Sequence, residues 1–153
     1  MLIDIAEVVA QRSTCSRASV GVVIARDGRP LVTGYNGAPA GMPHCEHECD
    51  CDPNIIRKWG EREGTPIHWQ QCASRQPCSI AVHAEANAIA YAARWGISLE
   101  GAELYSTLVP CLPCAQLVIN SGVIRVHYRV EYRDGRGLTL LQNAGIETHH
   151  WKR

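Results

Sequence analysis

The sequence predicts a single α/β domain in which a mixed β-sheet is flanked by helices. From residue 83 onward, helical and strand patterns alternate, which favours parallel strands joined by right-handed crossovers. Before that point, two short β-branched runs on either side of a turn signal predict an antiparallel hairpin. The chain has 153 residues, the length of one domain, and we assign residues 1–153 to it.

The N-terminal part supplies the first helix and the hairpin. Apolar residues recur at helical spacing over residues 2–12 and predict a helix there. The runs 20–25 and 31–35 predict the two strands, because Asp27 and Gly28 between them are typical of a tight turn.

The C-terminal half supplies the alternating elements. Each predicted helix is followed by a glycine that ends it, at Gly96, Gly122 and Gly145. Between the two halves, residues 38–80 are irregular and rich in cysteine and histidine, so we interpret them as an insertion within the domain. One short helix is predicted inside it, at 53–63. The predicted elements of this half are helices at 83–95, 111–121 and 136–144, and strands at 102–108, 123–130 and 146–151.

Composition excludes several classes of protein. The formal net charge is zero, which argues against nucleic-acid binding through a basic face. The N-terminus lacks a basic start, and no run of about 18 apolar residues exists, so neither a signal peptide nor membrane insertion is expected. We therefore expect a cytoplasmic protein, in the host cytoplasm if the chain is phage-encoded. Thiols stay reduced there, and eight cysteines then indicate metal binding rather than disulfides.

Two short motifs carry chemistry. His83 is predicted at the start of one helix, and Cys111 starts the next helix with Cys114 one turn later. Two thiolates and one imidazole fill three positions of a tetrahedral zinc site and leave the fourth open for catalysis. Zinc lowers the pKa of bound water to about 7, and Glu85 is placed to move the protons. Either motif alone is more often a structural zinc site, a redox pair or nothing, but the combination is specific.

The motifs resemble those of the cytidine deaminase superfamily of zinc-dependent deaminases and, within it, the deoxycytidylate (dCMP) deaminases. The resemblance implies a three-layer fold with a five-stranded mixed sheet whose last two strands are parallel. It also implies deamination of dCMP to dUMP with release of ammonia, supplying dUMP for thymidylate synthesis. By the same resemblance, His83, Cys111 and Cys114 bind the catalytic zinc and Glu85 is the proton shuttle. The segments that carry it are His83–Ile89, Pro110–Ala115, Gly34–Gly41, Ser13–Cys15, Glu100–Ala102 and Ser121–Val123.

The remaining cysteines suggest a second, structural zinc that pins the irregular insertion. Cys15, Cys45 and Cys78 fall where the family pattern places ligands. The fourth ligand stays open at this point, and buried free thiols are the alternative. The candidates for it are Cys49, Cys51, Cys72 and His68, with His44 and His47 as further options.

Substrate and effector contacts are less defined. Gly34, Tyr35, Asn36 and Gly37 are candidates, because glycines let backbone approach a ligand and Asn36 offers donors and acceptors. The resemblance implies a homohexamer activated by dCTP and inhibited by dTTP, with Arg94 near subunit contacts. Phosphate candidates are Arg12, Arg17 and Arg26.

Two other classes of function stay open. One is deamination of a related substrate: dCTP, a 5-modified dCMP, guanine or tRNA adenosine. The other is a zinc-stabilised binding module without catalysis, against which Glu85 speaks, because a structural site does not use a proton carrier. No nucleic-acid or membrane partner is expected.

Overall fold

The computed structural model describes residues 1–15, 18–42, 81–131 and 134–152. Within these residues the helices and strands follow the predicted order, with ends shifted by one or two residues from the predicted bounds. The short helix predicted at 53–63 lies outside the described residues. The elements are α1 (Leu2–Ala10), β1 (Gly21–Arg26), β2 (Arg29–Tyr35), α2 (Ala84–Trp95), β3 (Glu103–Leu108), α3 (Leu112–Asn120), β4 (Arg125–Val130), α4 (Arg136–Asn143) and β5 (Glu147–His150).

The five strands form one mixed sheet in the order β2-β1-β3-β4-β5. β1 pairs antiparallel with both β2 and β3, whereas β3, β4 and β5 are parallel. The hairpin turns at Asp27 and Gly28, both with positive φ, which is the backbone that a two-residue turn requires. The predicted hairpin and the predicted parallel last strands are both confirmed.

The sheet has helices on both faces, so the predicted three-layer arrangement is confirmed. On one face, α2, α3 and α4 cover an apolar layer, and the helices contribute small residues such as Ala84, Ala88 and Ala115. On the other face, α1 packs over β1 and β3 through a smaller cluster around Ala6 and Val23. The alternation of side chains along each strand assigns neighbouring residues to opposite layers.

The two central helices begin at the same edge of the sheet. β2 runs parallel to β3, because each is antiparallel to β1. Gly37, just after β2, pairs with Val82, which directly precedes α2, while α3 begins a few residues after β3. In open α/β sheets, ligand sites lie at the carboxyl ends of the strands. None of the helices in the described part has the length and apolarity needed to cross a bilayer.

Candidate active site

Two helix starts place the candidate metal ligands. His83 is the N-cap of α2, in extended backbone, and its carbonyl accepts a hydrogen bond from Asn87 N at 2.9 Å. Cys111 is the N-cap of α3, and its carbonyl accepts one from Ala115 N at 2.8 Å. Cys114, one turn further, is buried. The positive ends of both helices therefore point at the cluster and favour thiolates there.

The three donor atoms fit a zinc ion. The Nδ1 atom of His83 lies 3.3 Å from Cys111 Sγ and 3.4 Å from Cys114 Sγ, and all three ligand atoms lie within 4.8 Å of one another. Zinc bonds of about 2.3 Å to sulfur and about 2.05 Å to nitrogen, in a tetrahedron, place the nitrogen and sulfur atoms about 3.6 Å apart. Soft thiolates with one imidazole suit zinc, so donor set and spacing both fit.

Glu85 lies in the first turn of α2 and is only 4% exposed. Interactions with Cys114, Cys111 and His83 all act on the pKa of its carboxyl group, so Glu85 lies beside the three candidate ligands. Burial raises the pKa of Glu85, because removal from water disfavours the charged form. A buried acid beside an open ligand position can carry protons to and from a bound substrate.

The ligand side chains also shift one another's protonation. Hydrogen bonding from Cys114, helped by His83, lowers the pKa of Cys111 to about 4. The hydrogen bond to Cys111 and burial raise the pKa of Cys114. Hydrogen bonding to Cys111 raises the pKa of His83. Thiol and imidazole ligands bind a metal in their deprotonated forms, so metal binding at this cluster releases protons.

Asn36 is buried and its side-chain amide is hydrogen-bonded within the protein. Its Oδ1 atom accepts from Ser13 Oγ at 2.7 Å and from Val20 N at 2.8 Å, and its Nδ2 atom donates to Ala18 O at 2.7 Å. The predicted ligand-contacting residue therefore also ties the segment before β1 to the end of β2. The sequence offered no sign of these partners, which lie about 20 residues away in the chain.

The structure gives the neighbouring glycines a physical reason that was not predicted. A Cβ on Gly34 would collide with the carbonyl oxygen of Ala84 and lie 2.8 Å from Ala88 N, so this glycine admits α2 onto the sheet. A Cβ on Gly37 would collide with Thr14 Oγ1. Both glycines permit close approach, but to the protein's own elements. Tyr35 is partly exposed, and its carbonyl accepts from Asn87 Nδ2 at 2.7 Å.

The structure places four of the other predicted residues, and the rest lie outside the described residues. Arg26 lies at the opposite end of β1, where it donates to Glu100 O at 3.1 Å, and this position argues against a phosphate role. Arg12 is exposed just after α1, and Arg94 is exposed on α2 over the ring of Trp95. Cys15 is a partly buried free thiol. Arg17, His44, Cys45, His47, Cys49, Cys51, His68, Cys72 and Cys78 lie outside the described residues.

Fold and site together define a class. An α/β sheet with one histidine, two cysteines and a buried glutamate at two helix starts is the arrangement of zinc-dependent deaminases. The family model of the cytidine and deoxycytidylate deaminase zinc-binding region matches residues 1–130, and the chain belongs to this family.

Known proteins resemble the chain over most of its length. Deoxycytidylate deaminase of Enterobacteria phage T2 is 33% identical over 165 residues, covering 95% of this chain and 88% of the phage protein. That of Mycobacterium phage D29 is 40% identical over 129 residues, covering 84% and 91%. The structure of dCMP deaminase from the cyanophage S-TIM5 in complex with dCMP and dUMP has a TM-score of 0.74 at 30% identity, covering 99% of this chain and 93% of that chain.

Proposed function

We propose that the protein is a zinc-dependent deaminase that hydrolyses dCMP to dUMP and ammonia, supplying dUMP for thymidylate synthesis. The observation that carries this proposal is the placement of buried Glu85 directly against the three-donor cluster of His83, Cys111 and Cys114. The dCMP substrate class is supported by the T2, D29 and S-TIM5 enzymes, which match the chain over nearly its whole length.

The mechanism follows from the roles of four side chains. His83, Cys111 and Cys114 would hold zinc, and the bound ion supplies a water molecule acidic enough to attack near neutral pH. The Glu85 carboxylate takes a proton from the attacking water and delivers it to the ring nitrogen. A second transfer through the same carboxylate moves the remaining proton of the added hydroxyl group to the amino group, and the carbonyl forms as the carbon–nitrogen bond breaks, so that cytosine plus water gives uracil plus ammonia. Burial of Glu85 keeps bulk water from competing for these protons.

We also propose the second, structural zinc for this chain. Cys15 is the described member of its ligand set, and its free, partly buried thiol is compatible with that role. Cys45 and Cys78 complete the proposed ligands, with the fourth among Cys49, Cys51, Cys72 and His68. Two zinc ions per chain are expected by elemental analysis, with one lost in a Cys15→Ser variant and the other lost in Cys111→Ser. A single zinc in the wild-type protein would contradict this part.

Assembly and regulation are further parts of the proposal. We propose a cytoplasmic homohexamer of single domains covering 1–153, activated by dCTP and inhibited by dTTP. The segment Gly34–Gly37 is the proposed effector contact, and Arg94 lies on an exposed face of α2 beside the large exposed side chains of Tyr91 and Trp95. Light scattering with and without dCTP, alongside rate measurements with either effector, tests this arrangement.

A substrate panel tests the proposed activity. Zinc-loaded protein is incubated with dCMP, CMP, deoxycytidine, dCTP, 5-methyl-dCMP, guanine and tRNA, and loss of the amino group is followed by absorbance and by ammonia release. We expect dCMP to be the best substrate and a Cys111→Ser control to be inactive. Turnover of guanine or tRNA without turnover of any cytosine nucleotide, or no turnover at all, would overturn the proposal.

A further inference from the structure

Helix α4 approaches the metal-ligand loop through a glycine. Gly137, the second residue of α4, is buried, and a Cβ placed on it would collide with the carbonyl oxygen of Pro110. The same Cβ would lie 2.8 Å from the carbonyl carbon of Cys111 and 3.1 Å from its oxygen. All three atoms belong to the backbone, so no flexible side chain can move aside to admit a methyl group.

Glycine is required at position 137 because a side chain has no room there, and not because of the backbone conformation. Gly137 is not among the glycines with positive φ, so an alanine could adopt its backbone conformation. Glycine inside a helix is less favourable than alanine, and this position therefore gives up helix stability for close contact. Gly135, two residues earlier, has no atom within 4 Å of an added Cβ and a φ of −74°, so it provides a matched control.

The backbone of Cys111 is therefore in contact with both α3 and α4. Its carbonyl accepts the first hydrogen bond of α3, from Ala115 N, and the first turn of α4 packs against the same peptide unit. We infer that Gly137 is a positioning residue that fixes the backbone of Cys111, and hence the place of its sulfur among the metal ligands. This inference rests on the proposed role of Cys111 as a zinc ligand. Groups that orient a metal ligand typically change metal affinity by about 10- to 100-fold when altered.

The decisive comparison is between Gly137→Ala and Gly135→Ala. The affinity measured is that of the Cys111-dependent zinc, defined as the zinc lost in Cys111→Ser, by competition with a chromophoric chelator. We expect Gly137→Ala to weaken it about 10- to 100-fold and Gly135→Ala to leave it within a factor of two. In cobalt-substituted protein, the thiolate-to-cobalt absorption bands should shift only in Gly137→Ala. Leu141→Val, one turn beyond Gly137 on the buried side of α4, controls for general loss of stability.

A measurement on the wild-type protein covers the case in which Gly137→Ala does not fold. With selective ¹⁵N-glycine labelling, zinc loading should shift the amide resonance of Gly137, whereas that of Gly28, in the hairpin turn at the far end of the sheet, should stay in place. Equal affinities in the two alanine variants, matching losses in Gly137→Ala and Leu141→Val, or an unmoved Gly137 resonance would overturn the inference. Absence of Cys111-dependent zinc in the wild type would instead overturn the proposed metal site itself.

Discussion

The pKa of a glutamate is shifted in opposite directions on the two faces of the sheet. On the face covered by α2, α3 and α4, Glu85 is buried at the edge of an alanine-rich layer, and burial raises its pKa. On the face covered by α1, burial also opposes ionisation of Glu103, but hydrogen bonds from Tyr105 and His127 and the charge of Arg125 lower its pKa overall. The contrast shows that burial dominates the pKa of Glu85, whereas hydrogen bonds and the charge of Arg125 dominate the pKa of Glu103.

On the face covered by α1, polar side chains form a connected hydrogen-bond network. Arg125 donates to Glu103 at 2.8 Å and to Glu147 at 2.7 Å, which links the neighbouring strands β3, β4 and β5. Trp151 Nε1 donates to His127 Nδ1 at 2.9 Å, so the other ring nitrogen carries the hydrogen and donates to Glu103 at 2.8 Å. Since β3, β4 and β5 all contribute members, the network fixes the register of these three strands on the face that α1 covers.

The largest expected effect is the difference in kcat between two substitutions, Glu85→Gln on one face of the sheet and Glu103→Gln on the other. Glu85→Gln removes the proton carrier and should lower kcat for dCMP by about 10²- to 10⁴-fold while the protein keeps its zinc. Glu103→Gln should keep kcat within about twofold, because Glu103 lies on the opposite face of the sheet from the metal-ligand cluster. Steady-state rates and zinc content measure both. A Glu85→Gln enzyme with near wild-type turnover would remove the proposed role of this residue.

Two glycines provide the next comparison, one under each helix layer. Gly34→Ala would press a methyl group into the backbone of α2, and Gly21→Ala would press one into α1 at Ala6 and Ala10. Each should lower the free energy of unfolding by about 1–3 kcal/mol, the usual cost of overpacking. Only Gly34→Ala should also reduce kcat/KM in the folded protein, because α2 carries Glu85. Urea unfolding measures the stability of each variant, and kcat/KM is measured at temperatures where both are folded. An equal loss of kcat/KM in both variants would contradict the idea that only the face covered by α2 affects catalysis.

A smaller effect is expected at Trp151. Trp151→Phe keeps the ring but leaves the buried Nδ1 atom of His127 without its donor, which should cost about 1 kcal/mol of unfolding free energy. The rate with dCMP should not change, since the network faces away from the metal ligands. Urea denaturation of the variant against the wild type measures the loss. A drop in kcat without a drop in stability would show that the two faces are coupled.

The smallest effect is a pH dependence of stability. Burial lowers the pKa of His127, despite Glu103, with His149 and Arg125 also disfavouring the charged form. The unfolded chain then binds more protons than the folded one between the lowered pKa and the ordinary value of about 6.5. Stability should therefore fall as the pH drops below about 6.5 and level off below the folded-state pKa. The unfolding free energy is measured by urea denaturation at several pH values, and His127→Gln should flatten the profile below a pH of about 6.5. An unchanged slope in that variant would show that another group causes the pH dependence.

The sequence was sufficient for the elements and for the convergence of the three candidate metal ligands. Glycines after the helices, the tight turn at Asp27 and Gly28, and strict helix–strand alternation are local signals, and each described element formed close to its predicted position. His83, Cys111 and Cys114 converge as predicted, because each lies at or near the start of a helix at one edge of the sheet.

The side-chain contacts between strands that are far apart in the chain could not be predicted from the sequence. Alternation indicates which residues share a face, but not which strands become neighbours, so the links from Arg125 to Glu103 and Glu147 could not be predicted. The close approach of α2 to Gly34 could not be predicted either. A glycine needed for close approach looks the same in sequence whether a ligand or a helix approaches it, and here the helix is α2.

The bridge between Gly37 and Val82 has a consequence for how this enzyme can be rebuilt. Two hydrogen bonds, 3.1 Å from Gly37 N to Val82 O and 2.8 Å from Val82 N to Gly37 O, join the positions that flank the cysteine-rich insertion. The ends of that segment are therefore clamped together by the scaffold itself, directly before His83. The entropy of closing a loop grows only with the logarithm of its length, each doubling adding about 0.6 kcal/mol. Segments of quite different length can thus be grafted between these two residues while the first turn of α2 keeps its place.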